Sequence, residues 1–113
     1  MRRHLDPEGV PPPFGRYHHV VAVEGATRLA FVSGQLGIDR DGNVPDDVAS
    51  QAVLAFANLD ACLTAAGLSR PDIVRLNVYL TDAEYRRTYM AVGGGWVAAL
   101  PPASTLVIVK ALA

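Results

Sequence analysis

The sequence predicts an α+β domain in which the strands form a sheet and two helices cover one of its faces. Three observations carry this. Apolar residues recur at steps of four and three through Ala52, Phe56, Leu59, Leu63 and Ala66, the period of a helix with one buried stripe. In "DIVRLNVYL" the residues Val74, Leu76, Val78 and Leu80 alternate with Arg75, Asn77 and Tyr79, the period of a half-buried strand. The elements follow one another as β-β-α-β-α-β, which places helices beside a sheet instead of in a bundle.

The first segment, "MRRHLDPEGVPPPFG", is rich in proline, glycine and charge, and Pro11 to Pro13 forbid a helix; residues 1–16 are expected to form an extended arm lying over a surface. From Tyr17 to Val23 and from Arg28 to Gln35 the residues are mostly aliphatic, aromatic or β-branched. The intervening Gly25 loop has the length of a hairpin connection, so these two stretches are expected to pair antiparallel. Asp41-Gly42 marks a turn. Asp46 or Asp47 then offers an N-cap for the first helix, and Gly67 supplies its stop. Its small residues, among them Ala49, Ala52 and Ala55, suit close approach to a sheet.

After the strand at 74–80, Thr81 and Glu84 have the spacing of a capping box and start a second helix through Tyr85 and Tyr89. Gly93-Gly94-Gly95 is expected to end or loosen that helix, since each glycine costs about 1 kcal/mol there. Beyond the Pro101-Pro102 break, "STLVIVKAL" reads as a final strand.

The chain has 113 residues, half of them apolar, with ten basic and eleven acidic side chains. It is expected to be one domain spanning 1–113, small enough to gain from burying more surface in an oligomer. Its charge offers no basic stripe for nucleic acid, no apolar run of bilayer length is apparent, and no leader-like apolar core follows "MRRHLDPEG"; a cytoplasmic protein with no nucleic-acid or membrane partner is expected. Cys62 has no partner for an internal disulfide and reads as a small buried residue of the first helix.

The common catalytic motifs GxSxG, GxGxxG, HExxH and the P-loop are all missing from the sequence. His18 and His19, adjacent on an expected strand, should point to opposite faces and read as ordinary strand residues. With no metal-ligand spacing around them, no metal or other cofactor is expected. The most unusual stretch is Ser33-Gly34-Gln35, at the end of an apolar strand. A bare backbone at Gly34 lets a small polar ligand approach the main chain, with Ser33 and Gln35 adding donors and acceptors; a strand end whose hydroxyl caps its own turn fits the same residues.

Taken together, "PPPFGRYHHVV", "FVSGQLGIDRDGNV", Gln51, Asn58-Leu59 and Ala66-Gly67 on the helix, "DIVRLNVYLTD" and "PPASTLV" resemble the reactive-intermediate deaminase family, the RidA or YjgF group, also labelled L-PSP endoribonuclease. The resemblance implies a chorismate-mutase-like fold, a homotrimer, and small-molecule pockets in the clefts between subunits. The founding activity it implies is cofactor-free hydrolysis of enamines or imines to ammonia and a 2-keto acid; other members are binding proteins or tailoring enzymes. By that resemblance Tyr17 and Ser33 are the tentative catalytic residues. Gly34, Gln35, Tyr89, Pro102, Ala103, Ser104 and Thr105 would line the pocket.

Two departures stand out. Ala103 occupies the position where the family's Pro-Ala-Arg-Ser motif carries the arginine that clamps the substrate carboxylate, and Tyr89 aligns with a pocket asparagine. The family's last strand, which carries a water-activating acid, is either absent or replaced by "VIVKALA" with Lys110 in the acid's place. A guanidinium fork on a carboxylate is about twice as strong as a neutral hydrogen bond and also orients its partner. A subgroup lacking the arginine, binding a neutral or differently charged ligand and diverged from 2-imino acid deamination, is therefore expected. The rival expectation is a hydrolase of imines, enamines or related carbonyl intermediates using Tyr17, Ser33 and a bound water. RNA cleavage, which the older label invites, is disfavoured by the net charge of −1.

Overall fold

The computed structural model describes residues 1–113 and contains four strands and two α-helices: β1 (Arg2–Leu5), β2 (Val20–Val23), α1 (Val48–Ala65), β3 (Arg75–Leu80), α2 (Arg86–Trp96) and β4 (Ala103–Ile108). Short 3-10 turns at Arg70–Asp72 and Ala83–Tyr85 lead into β3 and α2.

α1 forms where its sequence signals lie. The Asp47 carboxylate accepts from the Ser50 N–H at 2.8 Å, filling an otherwise unpaired donor of the first turn. At the other end Gly67 takes φ +72°, the left-handed conformation that lets the chain leave the helix. The stripe faces inward: Ala52, Phe56 and Leu63 are buried, and Leu59 packs against them. At 18 residues and mean hydropathy 1.3, α1 is long and apolar enough to cross a membrane, a length the sequence reading did not credit.

β3 runs parallel to β4, with Arg75 opposite Ala103 and Leu80 opposite Ile108, and α2 makes the crossover between them. Leu76 of β3 packs against the cluster of Phe56, Leu63 and Trp96, so both helices share one face of this strand pair. The face bearing Arg75, Asn77, Tyr79, Thr105 and Val107 is open. No strand follows β4: Val107 and Ile108 are its end, and "VIVKALA" forms no separate strand.

The second helix departs from expectation at both ends. Asp82, and not Thr81, caps the short 3-10 turn that leads into it, its carboxylate accepting from the Glu84 N–H at 2.9 Å, while α2 itself begins after Tyr85 with no side-chain cap. It also continues through the three glycines to Trp96. A Cβ at Gly93 would stand 3.2 Å from the Tyr89 ring and 3.4 Å from Phe56, so the bare backbone is what permits the helix to press against α1. Stacking of Phe56 on Trp96 at 4.5 Å between centroids and on Tyr89 at 5.8 Å offsets the weak glycine propensity.

The largest departure lies before α1. The expected hairpin between Tyr17–Val23 and Arg28–Gln35 does not form; β2 pairs antiparallel with β1 instead, Arg2 opposite Val23 and Leu5 opposite Val20. Part of residues 1–16 is thus a strand, and the chain then turns where the Val10 N–H donates to the Pro7 carbonyl at 3.2 Å. Residues 28–36 belong to no strand and make no main-chain hydrogen bond to one. They are held near α1 by the Asn58 carboxamide, which donates to the carbonyls of Leu36 and Ile38, both at 2.9 Å. Gly37 between them lies so close to α1 that a Cβ would fall 2.5 Å from the Gln51 carbonyl oxygen. The apolar pattern of 28–36 signals burial, yet within one chain nothing covers it: Leu29 is 75% exposed and Phe31 92%.

Candidate functional site

The site residues are positioned by the meeting of β2 with β4. The main-chain N–H of His18 donates to the Pro102 carbonyl at 3.0 Å, which brings the Tyr17-His18-His19 stretch against the turn that opens β4. Pro101 and Pro102 are buried there, and the Ala103 N–H donates to the Val74 carbonyl at 3.2 Å. The Tyr17 hydroxyl accepts from the Phe14 N–H at 3.1 Å and the Tyr17 ring meets His19 edge-on at 5.8 Å. Tyr17, Pro102 and Ala103 are thereby gathered at one place.

Ser33, Gly34 and Gln35 are not joined to them by any hydrogen bond in a single chain. They lie on the uncovered 28–36 segment, where Gln35 Nε2 donates to the Ser33 carbonyl at 3.2 Å and a Cβ on Gly34 would meet open space. Ser104 and Thr105 follow Ala103 on β4, and Thr105 Oγ1 accepts from the Arg75 guanidinium. Tyr89 sits elsewhere, in the aromatic stack of the helices, where burial raises its phenol to about 12. Two shallow depressions along α1, of about 350 and 340 Å³, include none of these residues.

Three arrangements escaped the sequence reading. The first surrounds Asp6. Its carboxylate accepts from the His19 N–H at 2.8 Å and bonds His18 Nδ1 at 2.9 Å, while His19 Nε2 donates to the Pro11 carbonyl at 2.6 Å. The two histidines therefore both engage the arm, because the chain bends at His19 and the strand alternation is broken. The His19 N–H chiefly, then the His18 hydrogen bond, hold the Asp6 carboxyl below the ordinary carboxylate range against a desolvation effect of opposite sign.

The second is Arg75. Register sets it directly opposite Ala103, on the open face of the strand pair, whereas Arg16 donates to the Ala98 carbonyl at 2.9 Å. Charge alternation on the strand could have flagged it. The third is structural: Arg70 grips Asp60 through Nε at 2.8 Å and a second nitrogen at 2.6 Å, lies 4.8 Å over the Trp96 ring and donates to the Trp96 carbonyl. Trp96 Nε1 completes the knot by donating to Asp60 at 3.1 Å.

The family model described as Endoribonuclease L-PSP matches residues 8–113. The chain belongs to this family. Among relatives, a RutC family protein of Aquifex aeolicus is 37% identical over 81 residues, 71% of this chain and 62% of that protein, so the match spans about three-fifths of that relative's length. A rat 2-iminobutanoate/2-iminopropanoate deaminase is 33% identical over 122 residues, covering 96% of this chain and 87% of its own. Among solved structures, YyfB of the conserved Rid protein family from Yersinia pestis superposes with TM-score 0.86 at 30% identity, covering 99% of this chain and 88% of its own. The L-PSP, or Rid, family identity and the α+β fold of that family are thereby established for the chain.

Proposed function

We propose that this Rid-family chain assembles as a cytoplasmic homotrimer and binds a small molecule in clefts between its copies, and that it has diverged from 2-imino acid deamination. Tyr17, Ser33, Gly34 and the Pro102–Thr105 stretch would border each cleft. The reading draws support from surface area: a folded monomer of 12.0 kDa exposes about 6,000 Å², whereas this chain exposes 7900 Å², roughly a third more. Two interfaces of about 800 Å² per chain would cover most of such an excess.

Divergence rests on one observation, the methyl group of Ala103 at the head of β4. A carboxylate entering a cleft loses hydration that must be replaced by donors, and Ala103 supplies none. Lacking that clamp, the chain belongs to a subgroup suited to a neutral imine or carbonyl compound. In an assay coupled to a dehydratase that generates 2-aminoacrylate or 2-iminobutyrate, ammonia release is expected to stay near the uncatalysed rate, and Ala103→Arg is expected to restore it incompletely.

A second reading, imine or enamine hydrolase, has its own support in Arg75. Its guanidinium faces the open side opposite Ala103 and spends its one hydrogen bond on Thr105. If the unmodified chain releases ammonia well above background and Arg75→Met abolishes this, the clamp has moved across the strand pair and the deaminase reading replaces the first.

A further inference from the structure

His18 holds the one enclosed side-chain polar atom that has no partner: Nε2 is shut off from solvent and bonded to nothing. An unsatisfied buried nitrogen costs about 1–3 kcal/mol, and such exceptions in native structures call for a reason. Its chemistry is defined by its neighbours. The ionised Asp6 carboxylate can only accept, so His18 Nδ1 carries the proton at that 2.9 Å contact, and in the neutral ring Nε2 is left as a bare lone pair. A carboxylate fixing one ring nitrogen so that the other is a free base is the arrangement of a positioned general base. The same residue's N–H is bonded to Pro102, one position from Ala103, and Tyr17 precedes it. The titratable groups around the ring are Asp6, His19 and His4, whose ring lies 5.0 Å away on β1.

We propose that His18 is the proton-transfer residue of this site, with Asp6 as its positioning residue, acting on a neutral compound containing a C=N bond. This rests on the reading above that an imine-class molecule is bound here. Water gives a proton to His18 Nε2 while its oxygen bonds to the imine carbon and the C=N electron pair moves to nitrogen. The imidazolium returns that proton to nitrogen. His18 Nε2 then takes the hydroxyl proton of the resulting carbinolamine and passes it to the departing nitrogen as the C–N bond breaks, leaving a carbonyl compound and ammonia. Asp6 remains ionised and steadies the imidazolium between the two transfers. Reaching the enclosed Nε2 requires β1 to move aside, since its His4 ring lies 5.0 Å from that of His18; the outer end of that strand is tied by the Met1 ammonium to the Glu24 carbonyl at 2.7 Å and by Arg2 to Pro71 and Asp72.

The test uses the full chain and benzophenone imine, a neutral N–H ketimine whose hydrolysis is followed by absorbance across pH 5 to 9. The unmodified chain is expected to exceed the buffer rate, and His18→Gln to lose about 10²-fold or more of that acceleration. Asp6→Asn should lose less and shift the pH profile, because the amide no longer enforces one tautomer; circular dichroism checks that both variants are folded. Equal rates for His18→Gln and the unmodified chain overturn the proposal, as does an unmodified chain no faster than buffer. Long-range ¹⁵N–¹H correlation spectra give a readout independent of turnover. A proton on Nδ1 of His18 that becomes shared between both nitrogens in Asp6→Asn is expected, and one resident on Nε2 in the unmodified chain overturns it. Asp6, His18 and Pro102 belong to a single chain, so a monomer in solution would refute the interfacial cleft without touching the result for His18.

Discussion

Residues 47–108 and residues 1–46 are built in different ways. Every buried residue lies in the later part, from Ala52 to Pro102, and the Phe56–Trp96 stack, the Arg70–Asp60 grip and the β3·β4 ladder knit it together. The earlier part contains no buried residue, and its large apolar side chains Phe14, Leu29 and Phe31 stand in solvent. It nevertheless carries most of the polar groups assigned to the site. The contrast teaches that the later part carries the core that supports the molecule, while the earlier part has its apolar pattern written for surfaces that one chain does not supply.

The comparison is broken most severely by removing its centre. Trp96→Ala deletes the ring under Arg70, the stack on Phe56 and the donor to Asp60, and is expected to cost about 3–5 kcal/mol in urea unfolding. A loss below about 1 kcal/mol would show that the later part is not organised around this residue. Next in size is Gly93→Val, whose branched side chain would be driven into Tyr89 and Phe56 and should cost about 1–3 kcal/mol. Gly95→Ala is the control from the same helix: a Cβ there meets nothing within 4 Å, so helix propensity should raise stability by about 0.5–1 kcal/mol.

A smaller effect is expected from acid. The Arg70 hydrogen bond, then that from Trp96, hold the folded Asp60 carboxyl below its ordinary value of 3.8 against desolvation. A depressed carboxyl contributes stability that is present above the unfolded pKa and is lost as pH falls through the folded one. Asp60→Asn should therefore flatten the decline in stability below pH 4, by no more than about 1 kcal/mol for so exposed a pair. Smallest in folding energy, yet sharpest for the comparison, is Phe31→Glu. Within one chain it should change stability by less than about 0.5 kcal/mol, because the ring touches so little. Sedimentation should nevertheless show the proposed trimer falling apart, and an assembly unchanged by the substitution would prove that Phe31 is not part of what the chain covers.

What was legible follows the same division. α1 was readable because Asp47, Gly67 and a long apolar stripe act locally, and β3 because alternation survives wherever one face is buried. The path of α2 through Gly93–Gly95 was not, since the compensating stack depends on Phe56, more than thirty residues away. The hairpin failed for a related reason: two apolar stretches and a glycine loop say that strands are available, not which strand β2 will take, and Arg2–Leu5 took the place. Of the site, the assignment of Tyr17, Ser33 and Pro102–Thr105 rests on family resemblance, and a single chain joins only the stretch at His18 to Pro102. The Asp6 node was hidden because adjacent histidines on a regular strand should diverge, and only the bend at His19 turns both toward the arm.

The Asn58 clip has a consequence for proteolysis. One carboxamide holds two carbonyls, at Leu36 and Ile38, and so carries much of the attachment of a stretch flanked by the tryptic positions Arg28 and Arg40. Release of a single side chain would free a loop long enough to enter a protease, with no core residue disturbed. Cleavage there reports a local opening, governed by conditions at the end of one amide group, and its rate is decoupled from the global unfolding that Trp96 controls.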